Sequence, residues 1–281
     1  MWIDKAQNFF FARHRRDSAR EDLSVALMDL RSGLKQWSLW TYIGSQDIRQ
    51  RYRRSKLGPF WLTISMGVTV AALGFLYGGL FKRPLDKYLP YLAAGFVVWG
   101  LLSGLVLDGS RCFVGREGLI RQLAAPLSIY VFETLWMNLL IFSHNLVIFG
   151  IVSIIFQNEP NLAWLLFLPG ILVVLINGVW IALFCGVISA RFRDFPQVLA
   201  SLVQVMFFVT PIIWNPDMLP GRALLLDLNP FYHLLEVVRA PMLGKSPSVD
   251  TWIAIALITV AGWTSALTVY SLYRRRLAYW V

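Results

Sequence analysis

The chain has 281 residues, 57% of them hydrophobic and only 15% charged, with a formal net charge of +10. A soluble domain carries about 25% charged residues, so this composition excludes an ordinary soluble enzyme and indicates a membrane protein. The cations sit beside apolar runs and not on a separate basic domain, which argues against nucleic-acid binding.

Residues 1–19 are polar and basic. Phe9-Phe10-Phe11 is too short, and too closely flanked by charge, to be a secretory signal core, so no signal peptide is expected. Leu23, Leu27, Leu30, Leu34, Trp37 and Trp40 then recur at three- and four-residue steps, with Asp29, Arg31 and Lys35 on other faces. This spacing predicts an amphipathic helix in the membrane interface, anchored by its tryptophans. A soluble helix packed on a partner would carry the same pattern.

Five cations follow, Arg49, Arg51, Arg53, Arg54 and Lys56, then Gly58-Pro59, which breaks the helix. Such a cluster anchors the adjoining span on the cytoplasmic side and attracts anionic lipid. It also suits an anionic headgroup such as a pyrophosphate.

Six apolar runs approach the roughly 20 residues that a span needs. They cover 59–81, 88–107, 129–156, 162–190, 198–214 and 251–273. The segments that share a side with both termini hold 20 Lys and Arg, against 6 on the other side. The predicted topology is therefore six spans with both termini cytoplasmic. Between spans two and three, residues 108–128 form a cytoplasmic loop in which a short helix over about 117–124 fits between glycine and proline breakers. Arg191 to Pro196 make a short inner turn. The outer segment 215–250 is long and proline-rich, and its pieces 223–228 and 231–243 are apolar yet too short to cross; they read as re-entrant half-helices.

The phosphate-loop pattern G-x-x-x-x-G-K-[ST] does not occur, so ATP hydrolysis by this chain alone is not expected. No catalytic constellation, cofactor motif or metal-ligand spacing is expected either; Cys112 and Cys185 read as reduced and structural. Ser143, His144, Asn145 and Asn177 read as interhelical hydrogen-bonding groups in preference to an ion-coupling site.

The stretch Arg51-Tyr52-Arg53-Arg54-Ser55-Lys56-Leu57-Gly58-Pro59-Phe60-Trp61 resembles the start of the first span in type-2 ABC exporter permeases for polysaccharides. The Arg191–Pro196 turn, Thr210-Pro211-Ile212-Ile213-Trp214 and Leu228-Asn229-Pro230-Phe231-Tyr232-His233 look similar too, in the same order and spacing. Within that family the subgroup exporting lipid-linked O-antigen is the nearest; capsule and teichoic-acid exporters share much of the pattern. The resemblance implies an all-α membrane protein. Its parts are a cytoplasmic N-terminal segment (1–58) with an interface helix and a six-span domain (59–281) with a coupling loop at 108–128 and periplasmic re-entrant helices in 215–250. It also implies a homodimer in a bacterial inner membrane, joined by two copies of a separate ATPase subunit that holds the ATP and Mg.

On that reading Arg49, Arg51, Arg53, Arg54 and Lys56 line a pyrophosphate entrance. Arg116, Glu117, Leu119, Ile120 and Arg121 contact the ATPase subunit. Trp61, Tyr77, Phe207, Phe208, Trp214, Phe231 and Tyr232 offer aromatic faces to a sliding glycan. The alternatives are a type-2 permease for a drug or small lipid, and a membrane-embedded enzyme acting on lipid-linked sugars. The first lacks the large outer domain it would need; the second lacks paired acids.

Overall fold

The computed structural model describes residues 21–51, 53, 58, 60–158, 161–218 and 223–281, and among them all regular structure is helical. Helix α1 covers 21–35 and α2 covers Trp37–Arg51. Then come α3 (Phe60–Leu80), α4 (Leu85–Ser110), α5 (Glu117–Gln122) and α6 (Ser128–Ile155). The chain continues as α7 (Phe167–Arg191), α8 (Phe195–Val209), α9 (Ala223–Asp227), α10 (Pro230–Met242) and α11 (Val249–Trp280). The expected interface helix is interrupted by a turn at Gln36.

Five segments are long and apolar enough to cross a bilayer: Phe60–Leu80, Leu85–Ser110, Ser128–Ile155, Leu162–Arg191 and Val249–Trp280. The fifth expected span falls short. Helix α8 has 15 residues, which at about 1.5 Å per residue reach roughly 22 Å, less than a hydrocarbon core of about 30 Å. The cause is Pro211. A residue before proline is driven out of the helical region, and Thr210 is extended at φ −80°, ψ 134°. Residues 210–214 then run as irregular backbone.

Helix α4 is the hub. It packs against α3, α6, α7, α8 and α10, and most of its side chains are buried. Helices α3 and α11 leave about half of theirs exposed. Without a hydrophobic drive between helices in lipid, close backbone approach and polar contacts hold such a bundle together. Gly170 of α7 illustrates the first: a Cβ there would lie 2.6 Å from the Val237 carbonyl oxygen of α10. Asn177 of α7 illustrates the second, donating to Thr259 Oγ1 of α11 at 2.9 Å. Asn138 of α6 donates to Asp108 of α4 at 3.1 Å. His144 does not bridge helices with its ring, whose Nδ1 lies 2.7 Å from the Leu140 carbonyl of its own helix.

Candidate functional site

Two polar assemblies sit at opposite ends of the bundle. At one end, the loop between α4 and α6 folds as a 3-10 turn (Val114–Arg116) followed by α5. Arg116 pairs with Asp47 of α2 and Glu133 of α6, so one guanidinium ties the loop to two helices. Arg121 of α5 donates through Nε to the Val281 carbonyl at 3.2 Å. Arg193, in the α7–α8 turn, donates to the Trp280 carbonyl at 2.8 Å, and Arg191 lies over the Trp280 ring at 5.3 Å. The end of α11 is thus wedged between the loop and the turn. Burial pushes the nearby Cys112 thiol well above its usual range, so it stays a neutral thiol.

Helix α1 is fixed to the same end by Asp29. Its side chain is 1% exposed and accepts hydrogen bonds from Leu127 N at 3.2 Å, Ser128 N at 3.0 Å and the Tyr270 hydroxyl at 2.8 Å. Arg274 Nη2 pairs with it at 2.7 Å. The two amides are free donors at the start of α6, which a carboxylate suits in both hydrogen bonding and dipole. Gly33 permits the approach, since a Cβ there would lie 2.2 Å from Ser128 Oγ. Most of the apolar ridge of α1 points elsewhere: Leu23, Leu27 and Leu34 are exposed, as is Trp37 at the start of α2, while Leu30 is buried in the bundle.

At the other end, the irregular segment 210–214 is held by a second clasp. Arg239 of α10 is 1% exposed, donates to the Pro211 carbonyl and pairs with Glu236 at 2.6 Å. Its guanidinium lies 4.4 Å from the centre of the Tyr91 ring. The Tyr91 hydroxyl lies 2.8 Å from the Pro211 carbonyl and 3.0 Å from that of Trp214. Tyr88 donates to the Ile213 carbonyl at 2.7 Å. Non-helical backbone inside a membrane protein survives only where its polar groups find such partners. Asn229 starts α10 by accepting from Phe231 N at 2.9 Å, while its amide donates to Thr210 Oγ1 at 3.0 Å. This gives a physical reason for the Asn229-Pro230 pair: an asparagine cap followed by a proline at the first helical position.

Residues 38–243 match the ABC-2 type transporter family. The chain belongs to that family. Among its relatives is an O-antigen export system permease protein RfbA of Myxococcus xanthus, 21% identical over 237 residues, spanning 83% of this chain and 91% of the relative. A protein of the same name from Klebsiella pneumoniae is 20% identical over 201 residues, spanning 71% and 78%. ABC-2 permeases normally work with an ATPase partner.

In this permease the residues singled out from sequence fall in different settings. Arg49 and Arg53 are exposed at and just beyond the end of α2. Arg51 ends α2, whereas Arg54 and Lys56 lie outside the described residues. Within the loop, Arg116 is engaged inward and Ile120 is buried, with Leu119 packed beside it. Glu117 pairs with Arg121 at 2.8 Å. The exposed residues of this loop are Arg111, Gly115, Gly118 and the run Arg121, Gln122, Leu123 and Ala124; helix α5 ends at Gln122, two residues before the expected end.

Of the aromatic set, Trp61 and Phe208 are exposed, at 54% and 65%. Phe207 packs against Phe96 and Trp99, with ring centres 5.6 and 5.7 Å away, and Phe231 lies 5.5 Å from Trp99. These two build the interior. Tyr77 stacks on Phe81 at 5.4 Å, and Tyr232 is half-buried beside His233. Trp214 donates its indole N–H to the Phe208 carbonyl at 3.0 Å. Sequence reasoning passed over Asp29, Tyr88, Tyr91, Glu236 and Arg239. The signals were present: an isolated acid in an apolar-periodic helix, two tyrosines three apart, and an Arg three residues after a Glu in an apolar half-helix.

Proposed function

We propose that the chain is the membrane subunit of an ATP-driven exporter of lipid-linked polysaccharide, with O-antigen as its substrate class. Two copies form the channel, the five long segments together with α8 and its irregular 210–214 extension cross a bacterial inner membrane, both termini are cytoplasmic, and two ATPase subunits bind at the inner end. The relatives named for O-antigen export support the substrate class.

The observation that carries the channel is the exposed face of α8. Gln197, Ser201, Gln204 and Phe208 are all exposed, and at 100° per residue they fall within about 60° of one another. Gln204 lies well inside the helix and makes no hydrogen bond to another described residue. An unpaired amide facing hydrocarbon costs several kcal/mol, so this face suits water, sugar hydroxyls or a second copy. The aromatic ring of Phe208 at its end offers a flat surface to sugar C–H groups. Helix α1, with most of its apolar ridge outward, suits the membrane interface.

Reconstitution of the permease with its ATPase subunit in liposomes tests the reading. ATP-dependent movement of lipid-linked O-antigen is expected, and Gln204→Leu should slow it by roughly tenfold, or about 1.4 kcal/mol of barrier, with complex assembly unchanged. Movement of capsular polymer or teichoic acid in preference to O-antigen would overturn the substrate class.

The inner loop yields a second expectation. Leu123 is 45% exposed and Ile120 is 9% exposed. Leu123→Asp should uncouple ATP hydrolysis from transport while the permease stays folded. Ile120→Asp should instead lower the unfolding temperature, because an unpaired carboxylate is forced into an apolar site. Unchanged coupling in Leu123→Asp would exclude this loop as the ATPase contact.

A further inference from the structure

At the end of the bundle opposite the coupling loop lies a cavity of about 620 Å³, bordered by the first turn of α4, the end of α6 and the stretch after α10. That volume falls within the range of about 300–1,000 Å³ typical of small-ligand sites. Arg83 and Lys87, from the turn into α4 and its first turn, and Lys245, from the stretch after α10, border it together, against a single carboxylate, Asp86. None of the three cations forms an ion pair with a described residue, and all are exposed.

The walls suit a sugar. Tyr88, Tyr91 and Phe156 supply ring surface, and Gln157 and Asn215 supply amides. Aromatic faces with a few placed polar groups give orientation without a closed apolar pocket. Among the described residues, the two non-glycine positions with positive φ are Lys82 at 50° and Gln157 at 52°. One lines the cavity and the other adjoins its lining residue Arg83. Gly244, at φ 74°, sits between the lining residues Leu243 and Lys245. Left-handed backbone at non-glycine residues costs energy and concentrates where ligands are held.

We propose that this cavity is an anion-selective saccharide site, taking a phosphate- or carboxylate-bearing sugar of the exported glycan on the side away from the ATPase. The inference rests on the polysaccharide-export reading. Three cations from two segments meet one anionic group through charge-assisted hydrogen bonds, while the rings hold the sugar. Tyr88 and Tyr91 form the inner wall, and their hydroxyls hold the 211–214 carbonyls. A bound sugar therefore touches the residues that clasp this end of the pathway.

The test uses the full-length permease in phosphatidylcholine nanodiscs and a diazirine-bearing disaccharide phosphate. Photo-crosslinks mapped by mass spectrometry should fall on 83–91, 157–158 and 243–245 and weaken with salt. The variant Arg83→Gln/Lys87→Gln/Lys245→Gln should lower labelling at least about tenfold, since each lost contact is a charge-assisted hydrogen bond. Its gel-filtration profile should match the parent's. Inorganic pyrophosphate should compete and the neutral disaccharide should not. Labelling confined to the Arg49–Arg53 region, or equal competition by the neutral sugar, would overturn the site. Displacement by phosphatidylglycerol, added as half the nanodisc lipid, would overturn it in favour of a lipid-headgroup site. Transport in the reconstituted exporter is measured separately. Export without cavity labelling defeats this inference alone; labelling without export supports the site and defeats the export reading.

Discussion

Asp29→Ala is expected to release α1 from the bundle while the apolar spans stay inserted. The Asp29 carboxylate is the meeting point of four donors from two other parts of the chain: the amides of Leu127 and Ser128, the Tyr270 hydroxyl and the Arg274 guanidinium. Removing it leaves a buried hydroxyl, a cation and two helix-start amides without their acceptor. Breaking a buried charge pair by deleting one partner costs about 3–5 kcal/mol. Because Arg274 is 27% exposed, water recovers part of its loss, and Arg274→Ala should cost less than Asp29→Ala. Asp29→Asn keeps the shape and one acceptor and should fall between wild type and Asp29→Ala. Amide exchange over residues 21–35 should rise sharply in Asp29→Ala, and the thermal unfolding midpoint in detergent should fall. Unchanged exchange, or an equal effect of Arg274→Ala, would show that Asp29 does not anchor α1.

Replacing Arg239 should open the clasp at the other end. Its side chain is 2% exposed and does three things at once: it pairs with Glu236, donates to the Pro211 carbonyl and lies over the Tyr91 ring. Arg239→Ala leaves the Glu236 carboxylate without its cation and the Pro211 carbonyl with the Tyr91 hydroxyl alone; because Glu236 is 24% exposed, the cost should fall below the roughly 3–5 kcal/mol of a fully buried pair. Arg239→Lys keeps the charge yet loses the planar fork that serves the carboxylate, the carbonyl and the ring together. It should therefore destabilise as well, by about 0.5–1.5 kcal/mol for each hydrogen bond lost. An Ile213→Cys reporter, set beside the buried Ile212, should react with a membrane-impermeant maleimide faster in the Arg239→Lys background. Equal rates would mean that α10 holds the 210–214 segment without this residue. Arg239→Lys reaches this end alone, so on the proposed reading the effect of ATP hydrolysis on transport should be unchanged.

Much of the helix layout was readable because breakers and caps act locally. Gly58, Pro126 and the Asn229-Pro230 pair mark the ends of helices or lie between them, for reasons that lie within a few residues of each. Pro211 is equally visible, yet α8 ends at Val209, five residues before the apolar run ends at Trp214, because the residue before a proline leaves the helical region. The amphipathic reading of 23–40 found the helix, but not that part of it packs inward. Leu27 and Leu34 point away from the bundle while Asp29 is buried. The loop helix, Glu117–Gln122, falls within the expected 117–124, but Ile120 in it and Arg116 just before it are engaged inward.

Sequence by itself determined that this is a helical membrane protein, which segments are apolar enough to cross and where backbone regularity must end. Those properties follow from composition, charge asymmetry and the fixed geometry of proline and glycine. Only the tertiary structure decided which faces are inside. Asp29 meets Tyr270 across 241 positions, and Arg239 meets Pro211 across 28; no local period encodes such pairings. In water, apolar residues mark the buried face of a helix. In a bilayer, lipid and protein interior are both apolar, so a leucine, a tryptophan or a phenylalanine satisfies either side. Phe207 inside and Phe208 outside are neighbours with the same chemistry, and packing against Phe96 and Trp99 alone sets them apart.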